Sequence, residues 1–433
     1  ARRKVRPLLS ASPRLSTEHH DDEILCRCRQ ITYGEARAAI RADLGANTVD
    51  GVKRRVGCGL GRCQGSFCAE RVMLLLAAEL GCDPTEILKD RSGSWIAQKS
   101  SRQAPALQSG VHHKVQSLSS GAGAPTLEKV RLLIIGGGAA GLAAACSAHE
   151  AGVPAQEILL VDRQSVLGGI LPQCSHHGFG RREQEGSLSG PQFLAPLLEE
   201  FSERGMPSLL QTTVTALSAE RTVHLAGPAG ASSFRAQSVV FACGCRERPL
   251  GSLPVTGSRP SGIFTAGAAQ RMVNLQHWDI GHNIVILGSG DVGMVMAGTL
   301  TQQGKRVEAL VEQAADATGL KSNRKRYVDD KGLLLLAHHR ITRVFGHRRL
   351  EGVELEDLLT KQRTRLNCDT LIVSVGLVPE TDLLQDLSSL TSPALYPPWL
   401  FLAGNARRVH SFIESVVADG AAAGLKAASF LAD

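Results

Sequence analysis

Two copies of one pattern limit what this chain can fold into. In the first, an apolar run from Leu132 to Ile135 leads into Gly136, Gly138 and Gly141, spaced G-x-G-x-x-G. An Ala-rich, helix-favouring run continues to about Glu150, and a second apolar run, Ile158 to Val161, ends at Asp162. The pattern returns with Ile284 to Leu287, then Gly288, Gly290 and Gly293, a helical segment to about Gln303, and Val307 to Val311 ending at Glu312. In such a unit the first glycine allows a tight turn out of the strand. The second lets a pyrophosphate approach bare backbone at a helix N-terminus, and the third lets helix and strand pack closely. The terminal carboxylate accepts hydrogen bonds from a ribose hydroxyl. A lone glycine fingerprint is weak, because glycine turns occur without ligands. Here strand, helix and carboxylate surround both, so both read as dinucleotide sites.

One site for FAD and one for a nicotinamide nucleotide is the natural division. Glu312 favours NAD, since a carboxylate repels a 2′-phosphate; Arg324, Lys325 and Arg326 keep NADP open. Between the two units, Gly168 and Gly169 form a turn past which a flavin's pyrophosphate and ring can run, and Cys174, His176 and His177 follow.

At 433 residues the chain should hold two or three domains. Aromatic content of 4% argues against stacking platforms for nucleic acid, and a scattered net charge of +7 suits solubility more than DNA binding. No apolar run reads as a membrane span. Of 11 cysteines, five fall between Cys26 and Cys68, with no secretory signal before them, which favours a metal site over disulfides. Thr32 with Glu35 predicts a capped helix, and a second helix is expected from about Ala69 to Leu80. The spacing is Cys26-x-Cys28, a long gap, then Cys63-x4-Cys68. Two thiolate pairs can hold a [2Fe-2S] cluster, and Gly57, Gly59, Gly61 and Gly65 let backbone N–H groups face its sulfides. Cys58 also lies close enough in sequence to replace one ligand, although Cys26, Cys28, Cys63 and Cys68 are the preferred set. Structural zinc is the competitor, but C-x-C is atypical for it.

The segments CRCRQIT and VKRRVGCGLGRCQGSFC resemble [2Fe-2S] domains of the bacterioferritin-associated-ferredoxin type. Those domains usually lack a cysteine at the Cys58 position, which supports the preferred four. Ala242-Cys243-Gly244 resembles the A-T-G strand end of two-dinucleotide-domain flavoproteins, implying that Ala242 and Gly244 face the flavin. WLFLAGNA resembles their C-terminal G-D motif, implying a flavin phosphate-ribitol contact at Gly404 and Asn405, with Asn in place of Asp. From Val130 onward the chain resembles the FAD- and NAD-binding flavoproteins of the pyridine-nucleotide oxidoreductase group. LGGILPQCSHHGFG narrows this to a resemblance to the flavoprotein accompanying anaerobic-type glycerol-3-phosphate dehydrogenases. More distantly, the chain is similar to FAD and [2Fe-2S] subunits of hydrogen cyanide synthase, octopine oxidase and hydroxyproline dehydrogenase. Disulfide reductases of the group carry C-x4-C after the Gly-Gly turn. Here Cys174 stands alone, so that exchange is not expected; Cys174, His176 and His177 are the candidates to act at the flavin.

The expected fold is α/β, with two Rossmann-like dinucleotide-binding domains, the NAD domain inserted in the FAD domain, preceded by a small α-helical [2Fe-2S] domain. The boundaries are a disordered tail 1–22, a [2Fe-2S] domain 23–91, a linker 92–128 containing solvated His112 and His113, an FAD domain 129–253 and 368–433, and an NAD(P) domain 254–367. The expected function is electron transfer between NAD(H), FAD, the cluster and a partner dehydrogenase subunit or upstream domain. The expected setting is cytoplasmic, peripheral to a membrane only through a partner. The alternatives are a dehydrogenase subunit that oxidises an amine, amino acid or alcohol at FAD, and a non-catalytic assembly and relay subunit.

Overall fold

The N-terminal helices form where their caps dictate. Thr32 Oγ1 accepts the Glu35 N–H at 3.1 Å, Glu35 Oε2 accepts the Thr32 N–H at 2.8 Å, and α1 (Tyr33–Arg41) follows. Thr48 caps α2 (Val49–Val56), and α3 (Ala69–Leu80) runs on directly from Cys68. These helices belong to a computed structural model in which residues 19–100, 130–180, 187–388 and 396–433 are described. Most of the expected tail and linker, with His112 and His113, lies outside the described residues.

The later elements, in chain order, begin with β1 (Leu132–Ile135), α4 (Ala139–Glu150), β2 (Ile158–Val161), α5 (Gly190–Glu203), β3 (Ser208–Leu209) and β4 (Ser238–Phe241). Next come β5 (Ile263–Thr265), α6 (Ala266–Asn274), β6 (Asn283–Leu287), α7 (Asp291–Gln302), β7 (Arg306–Val311), α8 (Lys321–Tyr327), β8 (Leu335–Leu336) and β9 (Thr370–Val373). The chain closes with β10 (Leu400–Leu402) and α9 (Ile413–Ala432). They form two compact units.

The first unit contains Ala104–Cys245 and Pro379–Asp433. Its central sheet has the order β10-β4-β1-β2-β3, parallel throughout. Every residue of β1, β2 and β4 is buried, as a parallel sheet covered on both faces requires. On one face α4 packs against α9 through small residues. A Cβ at Gly420 would run into Ala140 O, and one at Gly424 into Ala144 O, so the two backbones touch. By length and composition α9 could cross a membrane, with a mean hydropathy of 1.2, contrary to the expectation of no such run. Its Gly420, Ala423, Gly424, Ala427 and Ala428 are buried, while Glu414, Ser415 and Lys426 lie on its exposed side.

The second unit joins Leu25–Gln103 to Arg246–Val378. Its sheet has the order β5-β9-β6-β7-β8, again parallel. Two expected boundaries are corrected here. Strand β9 was assigned to the FAD segment 368–433, but it pairs with β6, Ile284 opposite Thr370 and Leu287 opposite Val373. Its four buried apolar-rich residues complete the second sheet. The start of the expected linker is also seated: Ile96 and Ala97 are buried, and Gln98–Lys99 pairs antiparallel with Trp278–Asp279.

The cluster helices are not a free-standing module. Leu25, Tyr33, Val72, Met73 and Leu76 share one continuous apolar core with Met272, Ile284, Met294 and Leu310. Arg349 reinforces the join. Its guanidinium lies 3.5 Å from the Trp95 ring centroid and donates to Trp95 O and Ile96 O on one side, and to Asp369 O and Thr370 Oγ1 on the other. Burial pulls its pKa down to about 10, against the pull of Asp369 and Asp279. Glu70 on α3 and Arg271 on α6 add a buried ion pair at 2.8 Å.

Candidate functional site: two nucleotide crevices and a thiol centre

The turn from β1 into α4 is shaped by contact. Gly136 has φ +108°, and a Cβ there would strike Ala242 O on the neighbouring strand; a Cβ at Gly141 would strike Gly136 O. Gly138 faces Gly169: an added Cβ on Gly169 would stand 3.1 Å from the Gly138 Cα. The two glycine turns are tied by the Gly168 N–H donating to Gly137 O at 2.7 Å. The result is a strip of backbone without side chains at the N-terminus of α4, which fits the pyrophosphate of FAD. Asp162 is 9% exposed and accepts the N–H groups of Gly137 and Gln164, each at 2.7 Å. Its carboxylate therefore sits at the rim of the same turn.

Ala242 directly follows β4 and donates its N–H to Ile135 O at 2.8 Å, and Gly244 has φ +70° with open space around it. Gly404 and Asn405 follow β10. Asn405 Oδ1 accepts the His410 N–H at 2.9 Å, and its Nδ2 donates to Cys245 Sγ at 3.6 Å. The loop is gripped by a residue the sequence reading did not single out. Asp419 on α9 accepts the Gly404 N–H at 2.8 Å and pairs with Arg407. Burial pushes its carboxyl up, but Arg407 and the Gly404 N–H outweigh this and hold it below the usual range.

Cys174 is buried, donates to Ile170 O at 3.4 Å, and burial pushes its thiol up to about 12. Burial thus disfavours the thiolate, the reactive form of the group. His176 lies 5.1 Å from Phe179, ring to ring, and His177 is exposed on the short strand His177–Phe179.

The second crevice repeats the first. A Cβ at Gly288 would strike Ser374 O, one at Gly293 would strike Gly288 O, and Gly290 has open space in front of it. Glu312 Oε2 accepts the Ser289 N–H at 3.0 Å and the Ser289 hydroxyl at 2.7 Å, and Oε1 accepts the Ala314 N–H at 3.0 Å. Burial raises its carboxyl, but these donors prevail and lower it. Arg324 pairs with Asp316 and Asp329.

All five N-terminal cysteines are free, and four of them are at most 3% exposed. They form two groups. Cys28 Sγ and Cys63 Sγ are 3.7 Å apart. The Cys58 and Cys68 thiols both donate to Cys26 and hold it far below an ordinary thiol. The Cys28 thiol likewise draws Cys63 down to about 6. Two sulfurs bound at about 2.3 Å to one tetrahedral metal stand ~3.8 Å apart, so the Cys28–Cys63 spacing suits one iron and the Cys26 group a second. A pair of sulfurs on one side and the Cys26 group on the other fits the two irons of a [2Fe-2S] cluster.

Residues 130–393 match the pyridine nucleotide-disulphide oxidoreductase family, and the chain belongs to it. Residues 24–78 match the BFD-like [2Fe-2S] binding domain. The chain is thus a flavin oxidoreductase whose cofactors are FAD, a nicotinamide nucleotide and a [2Fe-2S] cluster. It is 58% identical over 74 residues to a glycerol 3-phosphate dehydrogenase of Caloramator mitchellensis, covering 17% of this chain and 15% of that protein. It is 26% identical over 284 residues to hydrogen cyanide synthase subunit HcnB of Pseudomonas protegens, covering 59% and 58%. The matched stretches span less than two thirds of either relative. Thioredoxin reductase of Lactococcus lactis has the same fold, with a TM-score of 0.57 at 18% identity, covering 70% of this chain and 99% of that one.

Proposed function

We propose that the chain passes electrons between NAD(H) and a partner protein or dehydrogenase domain, using FAD and the [2Fe-2S] cluster. The observation that carries this reading is the presence, on one chain, of two complete dinucleotide crevices and a paired thiol centre. When bound, the flavin exchanges a two-electron hydride for single electrons, and the cluster carries one electron at a time. The protein's part is to bind, orient and exclude water. Gly136, Gly138 and Gly141 with Gly168 and Gly169 bind the FAD pyrophosphate, and Asp162 holds its ribose. Ala242, Gly244, Gly404 and Asn405 line the rest of that site. Gly288, Gly290 and Gly293 bind the nicotinamide nucleotide. Cys26, Cys28, Cys63 and Cys68 hold the cluster.

NAD is preferred over NADP. Glu312 occupies the ribose position, the following stretch 313–320 contains Asp316 but no Lys or Arg, and Arg324 is engaged by Asp316 and Asp329. A partner dehydrogenase is supported by the relatives, which include a dehydrogenase and a synthase subunit. The same relatives support a second reading, oxidation of an organic substrate at FAD, in which exposed His177 and its neighbour His176 would meet the substrate.

Anaerobic titration with NADH separates the readings. Bleaching of flavin absorbance together with a low-temperature [2Fe-2S] paramagnetic signal is the expected outcome. Reduction of both centres by dithionite but by neither NADH nor NADPH would overturn the nicotinamide-linked reading.

A further inference from the structure

A two-iron cluster needs four protein sulfurs, and this chain brings five together. The surplus is arranged around one position. Cys58 and Cys68 stand five residues to either side of Cys63, and both lie beside Cys26 in one buried cluster. Each is 3% exposed, so neither is a surface thiol beside the site. The backbone shows how the two arms come alongside one another. Gly59 follows Cys58 with φ +83°, Gly65 precedes Cys68 with φ +88°, and the two turns meet back to back. A Cβ on Gly59 would stand 3.8 Å from the Gly65 Cα, and one on Gly65 would stand 3.9 Å from the Gly59 Cα. A Cβ on either would make only ordinary contact with the other arm, so it is the left-handed φ at both turns that calls for glycine. The other half of the centre has no spare sulfur: Cys28 and Cys63 face each other at 3.7 Å. Gly61 packs so closely on Cys28 that a Cβ there would collide with the Cys28 Cβ.

We propose that Cys58 is an alternate fourth ligand: Cys26, Cys28 and Cys63 hold the cluster throughout, and Cys58 and Cys68 exchange at the remaining position on the second iron. The inference rests on the cluster reading above and deepens it. In the exchange the incoming thiol releases its proton to solvent as its sulfur–iron bond forms. The departing thiolate takes up a proton as its bond breaks. Iron and sulfide keep their oxidation states, so no oxidant or reductant is involved. The consequence is a cluster that survives loss of either arm.

The test uses the full chain with Cys58→Ser, Cys68→Ser, both together, and Cys63→Ser. Each is reconstituted anaerobically with ferrous iron and sulfide. Iron and sulfide are counted, and paramagnetic resonance is recorded after dithionite. Circular dichroism together with FAD per chain reports folding, and Cys68→Ala serves in place of any Cys68→Ser protein whose spectrum departs from wild type. Each single variant at position 58 or 68 should keep the [2Fe-2S] signal, with different g-values for the two. The double variant and Cys63→Ser should each lose at least ten-fold in signal while keeping FAD. A flavin-loaded Cys68 variant as empty of cluster as Cys63→Ser would overturn the proposal, and so would a double variant that keeps its cluster. A wild-type chain with no such signal is a different failure, because it removes the cluster reading itself.

Discussion

Glu312 acts twice in the second crevice. It accepts the Ser289 N–H and hydroxyl, which shapes the glycine turn, and the proposed function gives it the ribose hydroxyl as well. Glu312→Gln should weaken NADH binding about ten-fold, or ~1.4 kcal/mol, and weaken NADPH binding less; an equal loss for both in a binding titration would refute the ribose role. Its pH dependence has a definite sign. The folded carboxyl lies below the ordinary 4.5, so its contribution to stability is present above about that pH. The contribution fades as pH falls through the folded value. The stability gap between wild type and Glu312→Gln, followed by denaturant unfolding, should therefore close on acidification. The places of the fingerprint glycines, Asp162 and Glu312 at the two turns were legible in the sequence because they are set by local spacing. Asp419 was not: its partner Gly404 lies 15 residues away, and the contact exists only because α9 starts where it does. The grouping of Cys58 with Cys26 was hidden in the same way, since a 32-residue separation carries no register.

The α4–α9 crossing tolerates little change, because its backbones touch at Gly420 and Gly424. Gly424→Val would press a branched side chain onto Ala144 O. It should destabilise the first unit by about 1–3 kcal/mol and lower the flavin-to-protein ratio, whereas Ala422→Val on the exposed side of α9 should do neither. Thermal unfolding with a flavin count decides between them; equal behaviour of the two variants would show that the close approach is unimportant. The sequence showed α9 as a helical stretch, but the need for glycine at that crossing depends on a helix more than 250 residues earlier. Parallel pairing hid β9 for a related reason. Its apolar run is equally suited to either sheet, and only its register with Ile284 to Leu287 assigns it. Trp95 and Ile96 looked like linker because the residue that seats them, Arg349, is remote in the chain.

At the scale of the molecule, the cluster helices and the second nucleotide sheet share one core. Stripping the cluster with dithionite and a chelator should therefore weaken NADH binding as well as abolish the paramagnetic signal, and should leave FAD content unchanged. If NADH affinity stays at its wild-type value, the shared core does not couple the two sites. The fold class and the two glycine crevices were readable from the repeated fingerprint; the union of the cluster segment with the second sheet was not, because it depends on apolar contacts between distant stretches. The split of the first unit has a further consequence for how the chain is made. The second unit ends at Val378, whereas the sheet of the first still waits for β10 and α9. During synthesis the nicotinamide and cluster half can close while the flavin half remains open on the ribosome. In the flavin half, the edge of β4 and the small-residue face of α4 stay uncovered until β10 and α9 emerge.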